Sequence, residues 1–442
     1  MIAPTSTRES PVATAPSALR TVDGRRADEL FSLDPSLRHL NHSSFGSPPR
    51  AATELQERIR AEMFAAPVRW FPAAPELIAA ARAELAPFLG LEPDAFAFVP
   101  NASAGASVVY NSLDLPAGGE IVVTDHGYGA VVMGAERLAR RIGGRVVVAP
   151  VDLDADADAA AEAVIGAFTD RTALVVVDQI TSPTARGLPV GEICAAARER
   201  GIVSAVDAAH APMLLENAVA AADADYWFGN LHKFACTAPG AAILVPRPGL
   251  GDALYPLIDS WGAPLGFPQR FDHQGTLDTT AWLTAAAAIG EIERQFGWAR
   301  VREHVTLLAD HGERVISAAM SEASGVPCRV ALGMPTASMR LVALPEGIAT
   351  TNEEANALRD VVLADLGIEA AFTSFRGCGY LRFSAHVYNT ADDYDDFAER
   401  AVPHLIRLAA RARTALVTTY ADTHAATPAA IRSTVIHPGG EQ

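Results

Sequence analysis

A single lysine, Lys233, occurs in the 442 residues of the chain, and arginine carries the rest of its basic charge. Arginine can serve solubility and ion pairing, but its guanidinium cannot form the imine that a lysine amine forms with an aldehyde. The lone lysine therefore predicts covalent chemistry at its amine. Drift of the composition from lysine to arginine, with one residue spared by chance, is the alternative.

An acidic residue, Asp207, ends an apolar run that is typical of a buried strand. An unpaired carboxylate is costly to bury, so Asp207 needs a cationic partner. A pyridinium nitrogen is such a partner, because a carboxylate beside it keeps the ring protonated and able to accept electrons from a carbanion. Capping of the following helix is the alternative role. The imine-forming lysine further along the chain favours the cofactor.

Small and hydroxyl residues at 101–107 lead into an apolar helical segment. Exposed backbone N–H groups and the helix dipole favour a phosphate at such a helix start, and the Ser103 hydroxyl can add a hydrogen bond. Asn and Ser are also common helix caps, so this pattern alone leaves capping open. Asn230 and His232, just before the lysine, are polar groups that could hold the same phosphate.

The elements that must position these residues are those of an α/β protein. Short β-branched runs alternate with alanine-rich helical segments, which predicts a sheet covered by helices on both faces. The runs are residues 120–124, 145–149, 173–178, 202–207 and 241–245. Ligands lie beyond the carboxyl ends of the strands in such a sheet. Asp178, Asp207 and Lys233 are therefore predicted to converge on one crevice.

The length and composition bound the remaining possibilities. The length predicts two domains between tails: a flexible tail at 1–25, a large domain at 26–284 whose first segment contacts the small lobe, a smaller α+β domain at 285–414, and a second tail at 415–442. The net charge of −17 argues against a nucleic-acid partner. The sequence shows neither an apolar run long enough to cross a bilayer nor the pattern of a signal peptide, so no membrane partner is predicted. The four cysteines are scattered without metal-ligand spacing, so no metal is expected and a cytoplasmic protein is predicted.

Four segments together resemble the class V, fold-type I enzymes that use pyridoxal 5'-phosphate: Pro100-Asn-Ala-Ser, Val206-Asp-Ala-Ala-His-Ala, Gly229-Asn-Leu-His-Lys and Gln274-Gly-Thr-Leu-Asp. The likeness is greatest to the isopenicillin N epimerase group, whose opening Leu-Asn-x-x-Ser-Phe-Gly is matched by Leu40-Asn-His-Ser-Ser-Phe-Gly46. That group includes actinomycete carbon–sulfur lyases of ergothioneine and lincosamide antibiotic pathways. The resemblance implies a large domain with a mostly parallel sheet between helices and a smaller α+β domain.

The resemblance also implies roles around the cofactor. Lys233 would hold pyridoxal phosphate as an internal aldimine, Asp207 would pair with the pyridinium nitrogen, and His210 would lie near the phenolate oxygen. A hydrogen-bonded helix histidine is the alternative for His210. The phosphate would be bound by Ser103, the backbone of Ala104, Asn230 and His232.

Two further positions near the cofactor stay open between neighbouring residues. The family places an aromatic or histidine ring over the cofactor, and Tyr128 is the best match for it, with His126 second. Ser182 matches the family residue near the phenolate oxygen, and Thr181 is a close second. For Tyr128 the alternative is an ordinary aromatic residue in a loop. For Ser182 the alternative is a polar turn before a proline.

Substrate and partner residues follow from the same resemblance. Arg382 matches the family's carboxylate clamp, and a planar guanidinium is well suited to hold a carboxylate through two hydrogen bonds. Gly275 and Thr276 match the pair that reaches the phosphate of the neighbouring subunit, which implies a homodimer with shared sites; a plain turn is the alternative. The residues expected near the substrate side chain are Asn41, His42, Ser43 and Phe45, with Arg69 and Trp70.

The reaction is less well determined than the cofactor. Cys378 lies four residues before Arg382 and Cys328 lies in an apolar run, so neither suits a desulfurase nucleophile on a mobile loop. A carbon–sulfur lyase acting on a cysteine S-conjugate is favoured, because the segment from 261 to 275 is shorter than in the epimerases. An isopenicillin N epimerase-type reaction is the alternative. An aminotransferase and a non-catalytic regulator that binds pyridoxal phosphate are less favoured.

Overall fold

The alternation of strands and helices is realised within residues 15–412, the part of the chain that the computed structural model describes. The strands are β1 Arg38–His39, β2 Ala97–Val99, β3 Glu120–Thr124, β4 Arg145–Ala149, β5 Thr172–Asp178, β6 Val203–Asp207, β7 Tyr226–Asn230, β8 Ala242–Pro246, β9 Met339–Ala343, β10 Ile368–Glu369, β11 Ala371–Phe375 and β12 Cys378–Ser384. The α-helices are α1 His42–Phe45, α2 Arg50–Ala65, α3 Pro67–Leu89, α4 Ala102–Ser112, α5 Gly129–Arg141, α6 Ala157–Ile165, α7 Val190–Glu199, α8 Ala218–Ala222, α9 Thr280–Leu283, α10 Ala285–Phe296, α11 Trp298–Ser324, α12 Asn352–Leu366 and α13 Ala391–Asp396.

The largest sheet has seven strands in the order β2-β8-β7-β6-β5-β3-β4. Strands β3 to β7 pair in parallel, whereas β8 is antiparallel to both of its neighbours. The helices between consecutive parallel strands provide the crossover connections that such pairing requires. The predicted fold class, a mostly parallel sheet between helices with a smaller α+β part, is confirmed.

Both faces of this sheet are buried except at its edge strand β4, which explains why its strands are continuous apolar runs. Ile121 and Val123 of β3 belong to the core that α4 and α5 cover, while Val122 between them belongs to the core on the opposite face. That second core continues into the smaller sheet, where it includes Leu341 and Phe383. The carboxyl ends of the parallel strands stand at the boundary with the smaller sheet, because Asp125, just after β3, bonds to Arg376, and Ser182, in the loop after β5, bonds to Arg382 of β12.

The smaller sheet is antiparallel, in the order β11-β12-β9. The amino-terminal segment joins this part of the molecule, because β1 pairs in parallel with β10. Leu19 and Thr21 are buried, so packing begins before residue 26, within the segment expected to be a tail. The rest of the expected tails, residues 1–14 and 415–442, lies outside the described residues. The division at residue 284 stays a prediction.

Among the helices within residues 15–412, none combines the length and the apolar character needed to cross a membrane.

Candidate active site

Lys233 lies in a turn just beyond β7, at the edge where the parallel strands end. Its side chain is 9% exposed, and its Nζ atom lies 3.1 Å from Nε2 of His210. Burial, helped by the positive charge of Arg382, lowers the pKa of the Lys233 amine to about 8. More of this amine is therefore neutral near pH 7 than in an exposed lysine, and the neutral amine is the form that attacks a carbonyl.

The Asp207 carboxyl group is buried at the end of β6, and one of its oxygens is unpaired. Oδ1 accepts a 2.9 Å hydrogen bond from the Ala209 N–H in the turn after β6, and the next helix, α8, begins only at Ala218, so Asp207 does not cap a helix. Oδ2 has no hydrogen-bond partner within residues 15–412. Because a buried acceptor without a donor is unfavourable, this oxygen fits a protonated ring nitrogen both by charge and by hydrogen bonding.

A second buried carboxyl group, Asp178, lies beside Asp207 at the end of β5. Their Cα atoms are register partners in the parallel β5–β6 pair, so both side chains leave the same face of the sheet. Burial and the charge of Asp207 raise the pKa of Asp178 well above its ordinary value. Asp178 also accepts a hydrogen bond from the Tyr128 backbone N–H, which joins the carboxyl pair to the loop before α5. No separate role for Asp178 followed from the sequence beyond its place in the crevice.

Replacing Asp207 with asparagine is expected to stabilise the cofactor-free protein at neutral pH. Burial raises the Asp207 pKa from 3.8 to about 6, so the folded state binds more protons than the unfolded state between these pH values. The free energy of unfolding therefore falls as pH rises through this window, and the penalty at pH 7 is about 2 to 3 kcal/mol. Urea unfolding of both proteins at pH 4 and pH 7 checks this. A variant no more stable than wild type at pH 7 would contradict it.

The predicted phosphate site lies at the start of α4, where side chains already bind part of the backbone. The Ala104 N–H donates to Asn101 Oδ1 at 2.9 Å, and the Ala102 N–H donates to Asn230 Oδ1 at 2.8 Å. The capping alternative is thus present at Ala104. The Ser103 hydroxyl makes no hydrogen bond to residues 15–412, so it is available to an anion at this helix start.

Two histidines flank the lysine. Burial lowers the pKa of His210 well below 6.5, and its ring bonds to the main chain of Ile180 and Ser43. Burial and the Lys233 charge lower the pKa of His232 to about 4, and its Nδ1 lies 3.3 Å from the Ala241 carbonyl oxygen. Both imidazoles are therefore neutral at pH 7. His232 would have to bind a proton to donate to a phosphate through its other nitrogen.

The structure distinguishes the two rings that were expected over the cofactor. His126 is fully buried, with Nδ1 bonded to Thr184 Oγ1 and Nε2 to the Val151 carbonyl oxygen, both at 2.7 Å. Its ring is stacked on Phe375 at a centroid distance of 4.5 Å. Tyr128 is 43% exposed and lies near enough to Arg382 to influence its pKa. The geometry thus favours Tyr128 for the ring that covers the cofactor.

Arg382 is a buried guanidinium that bonds only to neutral groups. It donates to the Ser182 carbonyl oxygen, to Ser182 Oγ at 3.1 Å, to Asn41 Oδ1 at 3.3 Å and to Ser44 Oγ at 2.9 Å. Its Nε is buried without a partner, and burial lowers its pKa to about 10. No carboxylate within residues 15–412 forms an ion pair with it. A buried cation without a counter-charge is favourable only when an anion completes the site.

Of the neighbouring residues Thr181 and Ser182, one is bonded within its own turn and the other contacts the site. Thr181 Oγ1 bonds to Thr184 Oγ1 at 2.7 Å and to the Arg186 N–H at 3.1 Å, so it stabilises its own turn. Ser182 instead contacts Arg382 through both its carbonyl oxygen and its hydroxyl. Ser182 is therefore the member of the pair that faces the site.

Three predicted substrate residues on α1 have different surroundings. His42 Nε2 bonds to the Lys233 carbonyl oxygen at 2.9 Å, and the Ser43 N–H donates to Ser384 Oγ at 3.0 Å. These two residues are engaged with the protein interior. Phe45 is 75% exposed. Asn41, the fourth, touches the guanidinium described above. The sequence predicted no role for Ser44, although it lies within the quoted motif that contains the other four.

Four predicted residues make no hydrogen bond or ion pair to the Lys233 site within the described chain. Gly275 and Thr276 lie in the loop before α9, and Gly275 has φ +85°, a conformation that favours glycine. They border a separate cavity of about 550 Å³. Arg69 and Trp70 lie at the start of α3.

Comparison with known proteins identifies the family. The family model described as aminotransferase class-V matches residues 72–397. Isopenicillin N epimerase of Amycolatopsis lactamdurans is 30% identical over 393 residues, which are 84% of this chain and 96% of that protein. A probable chloroplastic L-cysteine desulfhydrase of Arabidopsis thaliana is 24% identical over 420 residues, covering 86% of this chain and 85% of that protein.

A solved structure supports the same fold. The cystine C–S lyase in complex with its reaction product cysteine persulfide superposes with a TM-score of 0.71 at 19% identity, covering 83% of this chain and 98% of that chain. The predicted resemblance is therefore confirmed, and the unpaired Asp207 oxygen fits the family's cofactor. The chain belongs to the class-V aminotransferase family, and its cofactor is pyridoxal 5'-phosphate.

Proposed function

We propose that the protein is a carbon–sulfur lyase that acts on a cysteine S-conjugate held beside pyridoxal phosphate on Lys233. The observation that supports an amino acid as the substrate is the buried Arg382 guanidinium, which has neutral partners and an unpaired Nε. The positive charge of Arg382 also helps to lower the pKa of the Lys233 amine. A substrate carboxylate would supply the missing counter-charge and orient the α carbon toward the lysine.

The protein's own groups would hold the cofactor from several sides. Asp207 would bind the ring nitrogen through its unpaired oxygen, and Tyr128 would cover the ring. When bound, the cofactor supplies an electron sink that stabilises negative charge at the substrate α carbon. The remaining contacts assigned to it are those of Ser103, Ala104, Asn230 and His232 at the phosphate, and of His210 and Ser182 at the phenolic oxygen.

Proton transfer is assigned to Lys233. Its pKa of about 8 lies close to neutral pH, which is the range in which one group can both take and return a proton. The neutral His210 ring, 3.1 Å from Nζ, orients the amine without adding charge. Water is restricted around both groups, because Lys233 and His210 are buried.

The cavity beside Arg382 supports a substrate larger than cysteine. It has a volume of about 620 Å³ and is bordered by Phe45, Phe372 and Leu363 as well as by the guanidinium. An S-substituent could occupy it while the carboxylate stays at Arg382. The cysteine desulfhydrase relatives agree with cleavage of a carbon–sulfur bond. Among the four cysteines, only Cys378 is exposed, and it lies in a β-hairpin, which disfavours a desulfurase.

An epimerase is the second candidate, because two isopenicillin N epimerases are 30% identical to the chain over most of its length. In either case the product belongs to secondary metabolism, of which antibiotic biosynthesis is the proposed branch. Both reactions begin with loss of the α proton. They differ in whether a β-substituent then leaves or the proton returns to the opposite face.

A homodimer with shared phosphate sites is also proposed. Trp261 is 91% exposed in the segment that leads to Gly275 and Thr276. Several other large apolar side chains nearby in sequence are exposed, and such a surface favours burial against a partner. They are Tyr255, Leu257, Ile258 and Leu265.

The reaction can be tested with S-substituted cysteines of increasing size. A lyase converts each S-substituted cysteine and water to one thiol, one pyruvate and one ammonia, without carbon dioxide. The cavity predicts that kcat/KM rises with the S-substituent, by up to about fourfold per buried methylene. Lys233→Ala is the control for uncatalysed release. Exchange of the α proton in heavy water, with no thiol, pyruvate or ammonia, would reject the lyase and favour the epimerase.

A further inference from the structure

A buried cluster of three side chains lies directly behind the lysine turn. His42 comes from α1, Cys236 follows Lys233 in the turn, and His386 follows β12. The two imidazole rings are stacked at a centroid distance of 3.8 Å with 19° between their planes. Cys236 Sγ lies 3.5 Å from Nε2 of His386 and 4.0 Å from Nε2 of His42. The proposed chemistry uses none of these three side chains.

The hydrogen bonds of the cluster specify one tautomer for each ring. His42 Nε2 lies 2.9 Å from the Lys233 carbonyl oxygen, and His386 Nε2 lies 3.2 Å from the Phe234 carbonyl oxygen. A carbonyl oxygen only accepts, so both Nε2 atoms carry the proton. His42 Nδ1 then accepts from the Tyr388 hydroxyl at 2.9 Å, and the Cys236 thiol lies 3.7 Å from His386 Nδ1, the ring nitrogen left without a proton.

The spacing of these atoms would also admit a metal ion, but their bonding argues against one. In each ring Nε2 donates to a main-chain carbonyl, and in His42 Nδ1 is also occupied by the Tyr388 hydroxyl, so His42 offers no free lone pair to a zinc ion. The near-parallel rings also direct their in-plane lone pairs alongside each other rather than toward one point. Burial lowers the pKa of His42 well below 6.5 and that of His386 to about 4, which agrees with two neutral rings.

We infer that His42 and His386 are positioning residues that fix the main chain of Lys233 and Phe234, and so set where the lysine amine can reach. This inference rests on the proposed role of Lys233 as the reacting lysine. The two rings hold consecutive carbonyl groups of the same turn. Gly46, the residue after α1, packs closely against the same turn, because a Cβ at Gly46 would lie 1.8 Å from the His232 carbonyl oxygen.

The cluster also connects the lysine to the carboxylate site. His386 lies four residues after Arg382, on the segment that continues β12, and the His386 N–H is held by Asn389 Oδ1 at 2.9 Å. His42 lies next to Asn41, which accepts a hydrogen bond from Arg382. The amine and the guanidinium are thus held relative to each other through neutral contacts, made by the buried His42 and His386 and the half-buried Asn41.

A pair of amide substitutions at His42 tests the inference in the holoenzyme. In His42→Gln the side-chain amide nitrogen can occupy the position of Nε2 and donate to the Lys233 carbonyl oxygen, whereas in His42→Asn it reaches only the position of Nδ1. We expect kcat to fall about 100-fold in His42→Asn, since a displacement of about 1 Å has this effect, and to recover to within about tenfold of wild type in His42→Gln. KM should change less than about threefold in both.

Nitrogen-15 NMR of histidine-labelled wild-type holoenzyme provides a test that needs no variant to fold. Both His42 and His386 are expected as neutral Nε2–H tautomers at neutral pH. A protonated ring, an Nδ1–H tautomer, or one equivalent of bound metal by elemental analysis would overturn the inference. Equal kcat in the two amide variants would also overturn it. If wild type lacked the lysine-linked visible absorbance, the proposed role of Lys233 would fail instead.

Discussion

Replacing Lys233 with alanine is expected to abolish the visible absorbance of the lysine-bound cofactor and to lower kcat by about 10⁴-fold or more. The reason is that no other side chain can take its place, since the chain contains no second lysine. His210, whose Nε2 lies 3.1 Å from the amine, is a neutral ring that cannot form the same bond. Absorbance spectra and single-turnover kinetics after reconstitution with pyridoxal phosphate measure both effects.

Lys233→Arg is the matched control for this substitution. It keeps a positive charge near Asp207 and Asp178 but removes the amine that forms an imine. Both variants should therefore lack the absorbance, while Lys233→Arg preserves more of the electrostatic balance of the carboxyl pair. Retention of the band in either variant would mean that the cofactor is not attached at this residue.

Replacing Arg382 with alanine is expected to lower kcat/KM by about 10² to 10⁴-fold while leaving the cofactor absorbance in place. Each hydrogen bond from the guanidinium to a substrate carboxylate is worth about 1.5 to 3 kcal/mol, and two are lost. The absorbance is retained because Lys233 still forms the linkage: of the residues assigned to the cofactor, Arg382 hydrogen-bonds within residues 15–412 only to Ser182, and its other side-chain partners are Asn41 and Ser44. Steady-state kinetics over a range of substrate concentrations measures the change.

Two companion variants separate the clamp from general effects of charge. Arg382→Lys retains the charge but not the planar fork, so it should recover only part of the lost kcat/KM. Arg376→Ala removes an exposed arginine from the turn before β12, where it pairs with Asp125 and Asp152, and should change kcat/KM by less than about threefold. Unchanged kinetics in Arg382→Ala would remove this residue from carboxylate binding.

Much of the site could be predicted because its residues follow strands. Asp178 and Asp207 end apolar runs, and Lys233 follows β7, so the rule for parallel sheets predicts that all three lie at one edge. The composition singled out Lys233 by itself. The family resemblance, carried by four short motifs, added Arg382, which is remote in sequence from all three.

The remaining features depend on contacts between distant parts of the chain. The register of β5 against β6 decides that Asp178 and Asp207 are neighbours, and no local pattern specifies it. The same holds for His42 and His386, which come together because α1 and the end of β12 pack against the lysine turn. The preference for Tyr128 arises because the other candidate ring is already fully bonded inside the protein.

The central claim is that the amine of Lys233 holds the cofactor. Borohydride reduction of the reconstituted protein makes that linkage permanent, and proteolysis with mass spectrometry then locates it. Because Lys233 is the only lysine, a single phosphopyridoxyl-modified peptide containing it is expected, with one equivalent per chain. An unmodified Lys233 peptide, or a label found only at the chain's amino terminus, would contradict the claim.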